Sequence, residues 1–535
     1  MALLLSNVPW PGEGVDPAPV LSARLGVEPS MLRDVRLIKK SLDARHHSPH
    51  WVAAYRLELE DEAEVLERGV PSVRAWRPRD SGRYGLDAQG PERRVWFDGR
   101  VVVVGAGPAG LFAALYLAEG GADVVLIDRG GTTAERVKKV NAHWRRKADL
   151  DPESNIVFGE GGAGTFSDGK VYTRRRDGEL GFVFRRLVDF GADPSILQDA
   201  FAHLGTDKLR AILPVFRAKL QELGVDVRYN TRADEIMVEN GRAAGVRLST
   251  GEELRAKAVL CATGHSARDS VQMMLKAGAE ATVRPIAIGV RIEHTQQTID
   301  VAQYGKERGD LPPASYRLTH HPKVGRKVHT FCMCPGGVVV PASNHTDRVV
   351  VNGMSFAARR AMWANSAIIV AVNAEDYGAS DPMAGFRWQD RIERKAFELG
   401  GGTYAAPAQR VTDLFAGRPS SDLPRTSYSM GVVPCDLRQL LPPPIVEGML
   451  AAMGSWKHKL RGFAGPDAVL IAPETRTTSP VRFERTRTGE SVSVPGLYAL
   501  GEGAGYAGGI ITSALDGLRA ARGLYEQQAK SGVSA

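Results

Sequence analysis

The alternation of apolar and polar positions over the first hundred residues predicts a small module with two helices. The pattern predicts a strand, a helix, two strands, a second helix and a last strand, at residues 2–5, 19–25, 35–42, 51–59, 62–67 and 73–76. This order of elements is typical of a ferredoxin-like sandwich. Residues 80–94 are polar and rich in Gly, Pro and Arg, which predicts a linker. We therefore expect a ferredoxin-like α+β module over residues 1–95.

The pattern changes to buried strands and helices after the linker. Four consecutive valines begin at Val101, and a glycine-rich turn, an apolar helix and a second apolar strand at 123–127 follow them. The later segments are an amphipathic helix, several strands, a mostly strand-like region and a strand–turn–helix, at residues 207–223, 225–260, 281–482 and 496–529. We therefore expect an α/β domain over residues 96–280 that resumes over 483–535, with a β-rich domain inserted at 281–482.

Composition and charge are those of an ordinary globular protein. The chain has 535 residues, enough for two or three domains, with 43% apolar and 24% charged residues. The net charge is +8, but the basic residues are spread along the chain, with the densest runs at 174–176, 145–147 and 39–40. A solvated surface is the favoured interpretation, and attraction of an anionic substrate is the alternative.

The number of cysteines and the hydropathy of the chain indicate in which cellular compartment the protein is expected. Only four cysteines occur, at 261, 332, 334 and 435, so a disulfide framework is not expected. No apolar run reaches the roughly 18 residues that a membrane span needs. The first residues lack the basic and apolar regions of a signal peptide. We therefore expect a cytoplasmic protein with no membrane partner.

The strongest motif follows the valine strand and reads G-x-G-x-x-G. Gly105 permits a tight turn, Gly107 lets the backbone approach a pyrophosphate, and Gly110 lets the helix pack on the strand. Pro108 and Ala109, at the start of the helix, complete the predicted phosphate contact, because free N–H groups and the helix dipole favour an anion there. The motif therefore predicts a dinucleotide site.

Acid and glycine positions elsewhere extend this prediction. Asp128 ends the second strand 18 residues after Gly110, close to the roughly 20 expected of a ribose-binding acid, and Arg129 is a candidate adenosine contact. The string at 159–164 leads into no predicted helix, but its small residues permit close backbone approach to phosphate or a ring system. The string at 503–508 is followed by too few residues for a second strand and acid. The chain therefore has only one complete dinucleotide unit. If a redox cofactor occupies that unit, no separate nicotinamide domain remains, and electrons must come from the substrate, a transiently bound nicotinamide or a protein donor.

Two later segments resemble the motifs of two-domain flavoproteins. Residues 496–503 are similar to the C-terminal FAD motif, and residues 258–264 are similar to the middle motif. The resemblance implies that Glu502 approaches the pyrophosphate or ribitol and that the helix start near Gly508 stabilises negative charge on the reduced flavin. The further cofactor-binding candidates are Gly161, Gly162, Gly164, Thr165, Ala233, Thr263, Gly264, Gly501, Gly509 and Ile510.

Longer strings resemble one particular family. The strings at 40–45, 155–170, 264–269, 289–294, 331–337, 351–354, 474–482 and 501–509 are similar to a large family of poorly characterised FAD-dependent dehydrogenases. The resemblance covers about residues 35 to 520 and implies a split Rossmann-type FAD-binding domain with an inserted second domain. Thr478 stands where the family commonly has a second Ser, and residues before about Leu21 match little.

Several residues are candidates for catalysis. Cys332 and Cys334 would lie on one face of an extended strand with Cα atoms roughly 6.5–7 Å apart, at the limit for a disulfide. A redox dithiol, thiols that line the flavin or substrate, and core packing all stay open, whereas a metal site is not expected. His265 directly follows the middle motif and is either a proton donor or a hydrogen-bonded loop histidine.

Two arginines are candidates for binding substrate. Arg291 would share a strand face with Glu293, so an internal ion pair and an anion-binding site both stay open. Arg476 is a candidate to hold a carboxylate or phosphate, or is a structural residue. We therefore expect a FAD-dependent oxidoreductase, a dehydrogenase that transfers a hydride between flavin N5 and a carbon centre of an unidentified small molecule. The alternatives are a flavin enzyme acting on RNA through the basic N-terminal module, although nucleic acid is not the favoured partner, and a flavin-dependent electron carrier or scaffold without turnover.

Overall fold

A computed structural model describes residues 2–45, 48–77, 80, 90–173, 177–378 and 380–531. The chain divides into two compact units, residues 1–90 with 170–203 and residues 91–169 with 204–535. The arginine run at 174–176 and most of the predicted linker lie outside the described residues.

The described elements are named here in chain order. The helices are α1 (Ala18–Leu25), α2 (Glu62–Glu67), α3 (Pro108–Glu119), α4 (Thr133–Trp144), α5 (Leu180–Asp189), α6 (Gly205–Glu222), α7 (Arg268–Lys276), α8 (Gln296–Tyr304), α9 (Ala384–Leu399), α10 (Val411–Ala416), α11 (Pro443–Trp456) and α12 (Ile510–Ser531). The strands are β1 (Ala2–Pro9), β2 (Arg33–Asp43), β3 (His50–Glu58), β4 (Val73–Ala75), β5 (Val101–Val104), β6 (Val124–Ile127), β7 (Asp226–Arg228), β8 (Ala233–Glu239), β9 (Arg242–Leu248), β10 (Glu253–Arg255), β11 (Ala258–Cys261), β12 (Ala281–Val283), β13 (Ile286–Thr295), β14 (Thr319–His320), β15 (Val328–Cys334), β16 (Val338–Pro341), β17 (Val351–Met354), β18 (Trp363–Val372), β19 (Ala406–Arg410), β20 (Val432–Pro434), β21 (Val469–Glu474), β22 (Val481–Phe483) and β23 (Leu497–Ala499).

The first unit is a four-stranded antiparallel sheet. Its strand order is β2-β3-β1-β4, and apolar side chains of β1 and α1 such as Leu3, Leu5 and Leu21 form its core. This topology confirms the predicted ferredoxin-like module. Residues 170–203, which the sequence assigned to the α/β domain, belong to this unit because Lys40 N donates to the Gln198 carbonyl (2.9 Å) and extends the edge of β2.

The second unit contains a parallel five-stranded sheet with the order β23-β11-β5-β6-β7. The central strand β5 and its neighbour β6 are buried along their whole length, as runs of Val, Leu and Ile predict for a sheet covered on both faces. Its edge strand β23 comes from near the end of the chain. The sheet is therefore assembled from two separate stretches of sequence, which confirms the split Rossmann-type fold.

The inserted β-rich domain lies between those two stretches. Its main sheet has the order β14-β15-β18-β13-β21-β19-β20, and β16 and β17 form a separate pair. The insert leaves through β12 and returns through β22, and these strands pair with each other from Ala281↔Phe483 to Val283↔Val481. Within the part of the chain described here, no helix has the length and apolar character that crossing a membrane requires.

Candidate functional site

The glycine-rich turn after β5 is fixed by backbone packing. Gly105 has φ +107°, and a Cβ there would lie 2.5 Å from the carbonyl oxygen of Ala262. A Cβ on Gly110 would lie 1.9 Å from the carbonyl oxygen of Gly105. These two positions therefore exclude any side chain for reasons of fold alone. Helix α3 begins at Pro108, so its free N–H groups lie at this turn.

A second set of glycines faces open space instead. Gly107 has φ −77°, and a Cβ there would have Gly162 Cα as its nearest neighbour, at 3.9 Å. A Cβ on Gly264 would meet nothing within 4 Å, and those on Gly508 and Gly509 would meet side-chain oxygens no closer than 3.5 Å. These glycines come from the first, middle and late motifs. Their backbone is accessible to a ligand, as the sequence predicted for a dinucleotide.

Close approaches bring the motifs of distant segments together. Gly161 N donates to the Ala106 carbonyl (2.8 Å), which holds the 159–164 string against the glycine turn. A Cβ on Gly501 would lie 3.2 Å from that of Ala109, and one on Gly503 would lie 2.7 Å from the Gly264 carbonyl oxygen. The late motif is therefore adjacent to both the first and the middle motif.

The start of helix α12 joins the same group. A Cβ on Gly164 would lie 3.3 Å from Ile510, the first residue of α12. Residues 162–166 form a short 3-10 helix and not the start of an α-helix. This agrees with the sequence, which predicted no helix after the 159–164 string. Thr165 is buried and donates its hydroxyl to the Glu160 carbonyl (2.8 Å), whereas Thr263 is half-buried and Ala233 is a buried residue at the start of β8.

The buried carboxylate of Asp128 stabilises the glycine turn by hydrogen bonds to the main chain. Its Oδ2 accepts from Ala106 N (2.8 Å) and its Oδ1 accepts from Gly130 N (2.9 Å). Burial raises the pKa of its carboxyl, while these two bonds act in the opposite direction. Arg129 pairs with Asp269, and its guanidinium lies 4.7 Å from the centre of the Phe158 ring. The ribose and adenosine contacts predicted for Asp128 and Arg129 stay predictions.

A buried arginine that the sequence analysis did not single out organises residues 155–165. Arg136 on α4 has no exposed surface. It donates to the carbonyls of Asn155, Ile156, Glu160 and Gly162 and to the Thr165 hydroxyl. The Glu160 side chain reaches the start of α4, where it accepts from Thr133 N (2.7 Å). An arginine on an amphipathic helix gives little signal, because its acceptors here are main-chain oxygens.

The structure pairs the histidine of the middle motif with the acid of the late motif. His265 Nδ1 lies 3.2 Å from Glu502 Oε2, and both side chains are partly exposed. A contact through Nδ1 leaves the other ring nitrogen, Nε2, available to a ligand. The histidine predicted from the middle motif and the acid predicted from the late motif are therefore brought together.

The Cys-x-Cys segment is not the extended strand that the sequence predicted. Cys332 has φ +46°, and the register between β15 and β18 shifts between Phe331 and Cys334. The prediction of two thiols on one face of a regular strand is therefore wrong, because a bulge reorients the segment. Cys334 is buried, and its Sγ lies 4.0 Å from Arg291 Nη1.

Arg291 occupies the interior of the inserted domain. Its Nε donates to Glu474 Oε2 (2.6 Å), and Nη1 and Nη2 donate to Asn365 and Asn352 at 2.8 and 2.9 Å. Burial acts to lower the pKa of Arg291, but the charge and hydrogen bond of Glu474 and the two nearby cysteines together raise that pKa. Arg291 therefore forms an internal ion pair, but with Glu474 and not with Glu293, the partner that the sequence predicted; Ser427 N donates to Glu293 instead (2.8 Å).

Arg476 is also engaged inside the protein. Its Nε and Nη2 donate to the two oxygens of Glu393 at 3.0 and 2.6 Å, and Arg268 Nη2 lies 3.4 Å from the same carboxylate. Burial acts to raise the pKa of Glu393, but the two arginines outweigh it and hold that pKa at about 2. Because Arg268 begins α7 just after the middle motif, this cluster fixes the insert to the sheet domain.

Three family models match parts of the chain. Residues 285–477 match the model described as "FAD-dependent protein, C-terminal domain-like". Residues 100–187 match "FAD dependent oxidoreductase", and residues 164–344 match "FAD binding domain". The matches cover both the glycine turn and the inserted domain.

Individual proteins are similar to the chain over different lengths. An uncharacterised protein of Clostridium beijerinckii is 42% identical over 80% of this chain and 81% of its own length. A digeranylgeranylglycerophospholipid reductase 2 of Methanococcoides burtonii is 25% identical over 43% of this chain and 53% of its own length. A geranylgeranyl bacteriochlorophyll reductase-like structure from Thermoplasma acidophilum is 14% identical, with a TM-score of 0.35 over 83% of this chain and 80% of that one.

The parallel sheet, the glycine turn and the returning late motif define a flavoprotein of the two-domain class with a split Rossmann domain. The chain belongs to a poorly characterised family of FAD-dependent oxidoreductases, and FAD is its cofactor. The structure fits this cofactor, because glycines of three motifs leave open space around their backbone and one of them, Gly107, lies at the start of α3, a type of position that favours an anion.

Proposed function

We propose that the protein is a dehydrogenase that transfers a hydride between a carbon centre of a small molecule and flavin N5. Bound FAD supplies the redox centre for this reaction. Its pyrophosphate would lie at Gly107 and the start of α3, and the open glycines Gly264, Gly508 and Gly509 would border the rest of the cofactor. The N-terminus of α12 follows these glycines and would favour negative charge beside it.

The observation that carries the proposal is the pairing of His265 with Glu502 between two flavin-motif segments. With the carboxylate 3.2 Å from Nδ1, Nε2 would accept or donate the proton that accompanies hydride transfer. His265 is therefore the proposed proton-handling residue. The thiols of Cys332 and Cys334 are a less supported choice, because Cys334 is fully buried beside Arg291.

The pairing of surface charge gives no support to the RNA alternative. On and beside β2, Arg36 pairs with Asp34, and Arg45 pairs with Asp43. Arginines that are already neutralised by neighbouring carboxylates release fewer counterions on a phosphate backbone. The proposal is therefore limited to a small-molecule substrate, with a transient nicotinamide or a protein as the other electron partner.

Anaerobic reduction of the purified holoprotein tests the proposal. We would titrate it with NADH, NADPH and then a panel of small alcohols, acids and amines, and follow the visible absorbance of the flavin. Bleaching by one of the small molecules is the expected result. Reduction by a redox protein alone, with no response to any small molecule or nicotinamide, would support the electron-carrier alternative instead.

Two histidine variants test the assigned residue. His265→Asn should retain FAD and slow flavin reduction by roughly 10²- to 10⁴-fold, as loss of a general acid or base does. His458→Asn is the matched control, because His458 is an exposed residue of the inserted domain. Reduction of His265→Asn at the wild-type rate would remove His265 from the mechanism.

A further inference from the structure

Arg136 is an unusual residue to find without exposed surface. Its guanidinium is surrounded by four main-chain carbonyls and one hydroxyl, and none of these acceptors is a carboxylate. Burial lowers its pKa to about 10, so the group remains charged at neutral pH. A buried charge is retained only where hydrogen bonds replace its hydration. The charges of Asp128 and Glu160, both buried, also favour the charged form of Arg136, so its positive charge is retained inside the protein.

The acceptors all belong to one short stretch, which we name the flavin loop, residues 155–165. Nε donates to the Asn155 carbonyl, and Nη2 donates to those of Ile156 and Gly162, each at 3.0 Å. Nη1 donates to the Thr165 hydroxyl, also at 3.0 Å. The backbone of the loop is consequently folded around a single side chain. The glycines of the loop have wide conformational freedom, so these bonds help to fix its conformation, together with those of the Glu160 side chain and Gly161 N.

The opposite side of the flavin loop meets the dinucleotide motifs. Gly161 N donates to Ala106 within the glycine turn (2.8 Å), and a Cβ on Gly162 would lie 3.1 Å from Gly107 Cα. Gly164 packs against Ile510 at the start of α12. The loop therefore lies between Arg136 on one side and the first and late FAD motifs on the other.

We propose that Arg136 is a positioning residue for FAD, which shapes the flavin loop against the glycine turn and supplies positive charge behind it. The proposal rests on the FAD site described above. Affinity depends on geometry, because only a planar guanidinium reaches all five acceptors. The redox potential depends on charge, because a cation favours the reduced, negatively charged flavin over the neutral oxidised form.

Two substitutions at Arg136 separate these contributions. Arg136→Lys keeps the charge but loses most of the hydrogen bonds, so we expect FAD to dissociate about tenfold more readily with a nearly unchanged midpoint potential. Arg136→Gln loses both, so we expect weaker binding together with a more negative midpoint potential. A purely structural arginine would not divide affinity and potential in this way.

Two further variants provide the control and a milder test. Arg410→Lys is the control, because Arg410 donates to the carbonyls of Asp422 (3.2 Å) and Pro466 (3.0 Å) in the inserted domain. It should leave FAD affinity within about twofold of wild type. Thr165→Val removes a single acceptor of Arg136 with little change of shape. It therefore still tests the positioning role of Arg136 if the arginine variants do not fold.

The outcomes are distinct from those of the hydride-transfer proposal. Wild-type FAD affinity in both Arg136→Lys and Thr165→Val would overturn the positioning role, and an unchanged potential in Arg136→Gln would overturn the role of its charge. Weaker FAD binding in both, with Arg410→Lys unaffected, would support it. Neither result depends on which substrate reduces the flavin.

Discussion

Replacing Gly107 by Ala should separate cofactor binding from folding. Its backbone, at φ −77° and ψ 179°, suits any residue, and the added Cβ would have its nearest neighbour at 3.9 Å. Ala is a poorer helix N-cap than Gly, but it also reduces the entropy of the unfolded chain. The two effects oppose each other, so the free energy of unfolding of the apoprotein should stay within about 1 kcal/mol of wild type.

The same methyl group would stand where the pyrophosphate approaches the start of α3. Charge-assisted hydrogen bonds contribute about 1.5–3 kcal/mol each, so losing one of them and weakening a second costs about 2–4 kcal/mol of binding. This corresponds to roughly 30- to 1000-fold weaker FAD binding. Fluorescence titration of the apoprotein with FAD and chemical denaturation without FAD measure the two quantities separately.

Gly110→Ala is the matched control for this experiment. Its Cβ would lie 1.9 Å from the Gly105 carbonyl oxygen, so it should destabilise the apoprotein by several kcal/mol before any cofactor is added. The reasoning is refuted if Gly107→Ala binds FAD like wild type, since the phosphates would then lie elsewhere. It is also refuted if Gly107→Ala unfolds as readily as Gly110→Ala.

Two further predictions concern stability. Glu393→Gln should destabilise the protein by about 3–5 kcal/mol in denaturant titrations, because Arg476 would remain buried without its counter-charge; a change below 1 kcal/mol would contradict this. Burial lowers the pKa of His294 from 6.5 to about 4. Between pH 6.5 and 4 the unfolded chain binds a proton at His294 that the folded chain does not bind, so the free energy of unfolding falls as the pH falls. From pH 7 to 5 the wild type should lose about 2 kcal/mol more than His294→Asn, and equal losses would show that His294 does not titrate in this way.

The sequence predicted best those features that depend on local pattern. The elements of the ferredoxin-like module were predicted to within a few residues, because apolar periodicity and turn residues mark each boundary. The glycine turn at Gly105 was equally clear, since its conformation has a fixed spacing of residues. The predicted limits of the insert, 281 and 482, fall within the paired strands β12 and β22. The pairing of these two strands itself has no local signal in the sequence.

Features that depend on distant partners could not be predicted. Arg136 gave no signal because main-chain carbonyls, which every residue possesses, are its acceptors. Cys332 was assigned to a regular strand because its neighbours favour strands, yet the register shift arises in the pairing with β18. Glu502 was predicted from a motif, whereas its contact with His265 required the middle and late segments to meet in space.

The split of the parallel sheet determines the order in which the protein can mature. Helix α3 is buried from Ala109 to Ala118, and part of its cover is α12, whose Gly517 would place a Cβ 1.9 Å from the Ala109 carbonyl oxygen. During synthesis, α3 emerges from the ribosome long before β23 and α12 exist. The insert, whose last sheet strand ends at Glu474, is complete earlier than the domain that carries it. A nascent chain therefore exposes an apolar helix until α12 has been made, a situation in which chaperone binding favours correct folding.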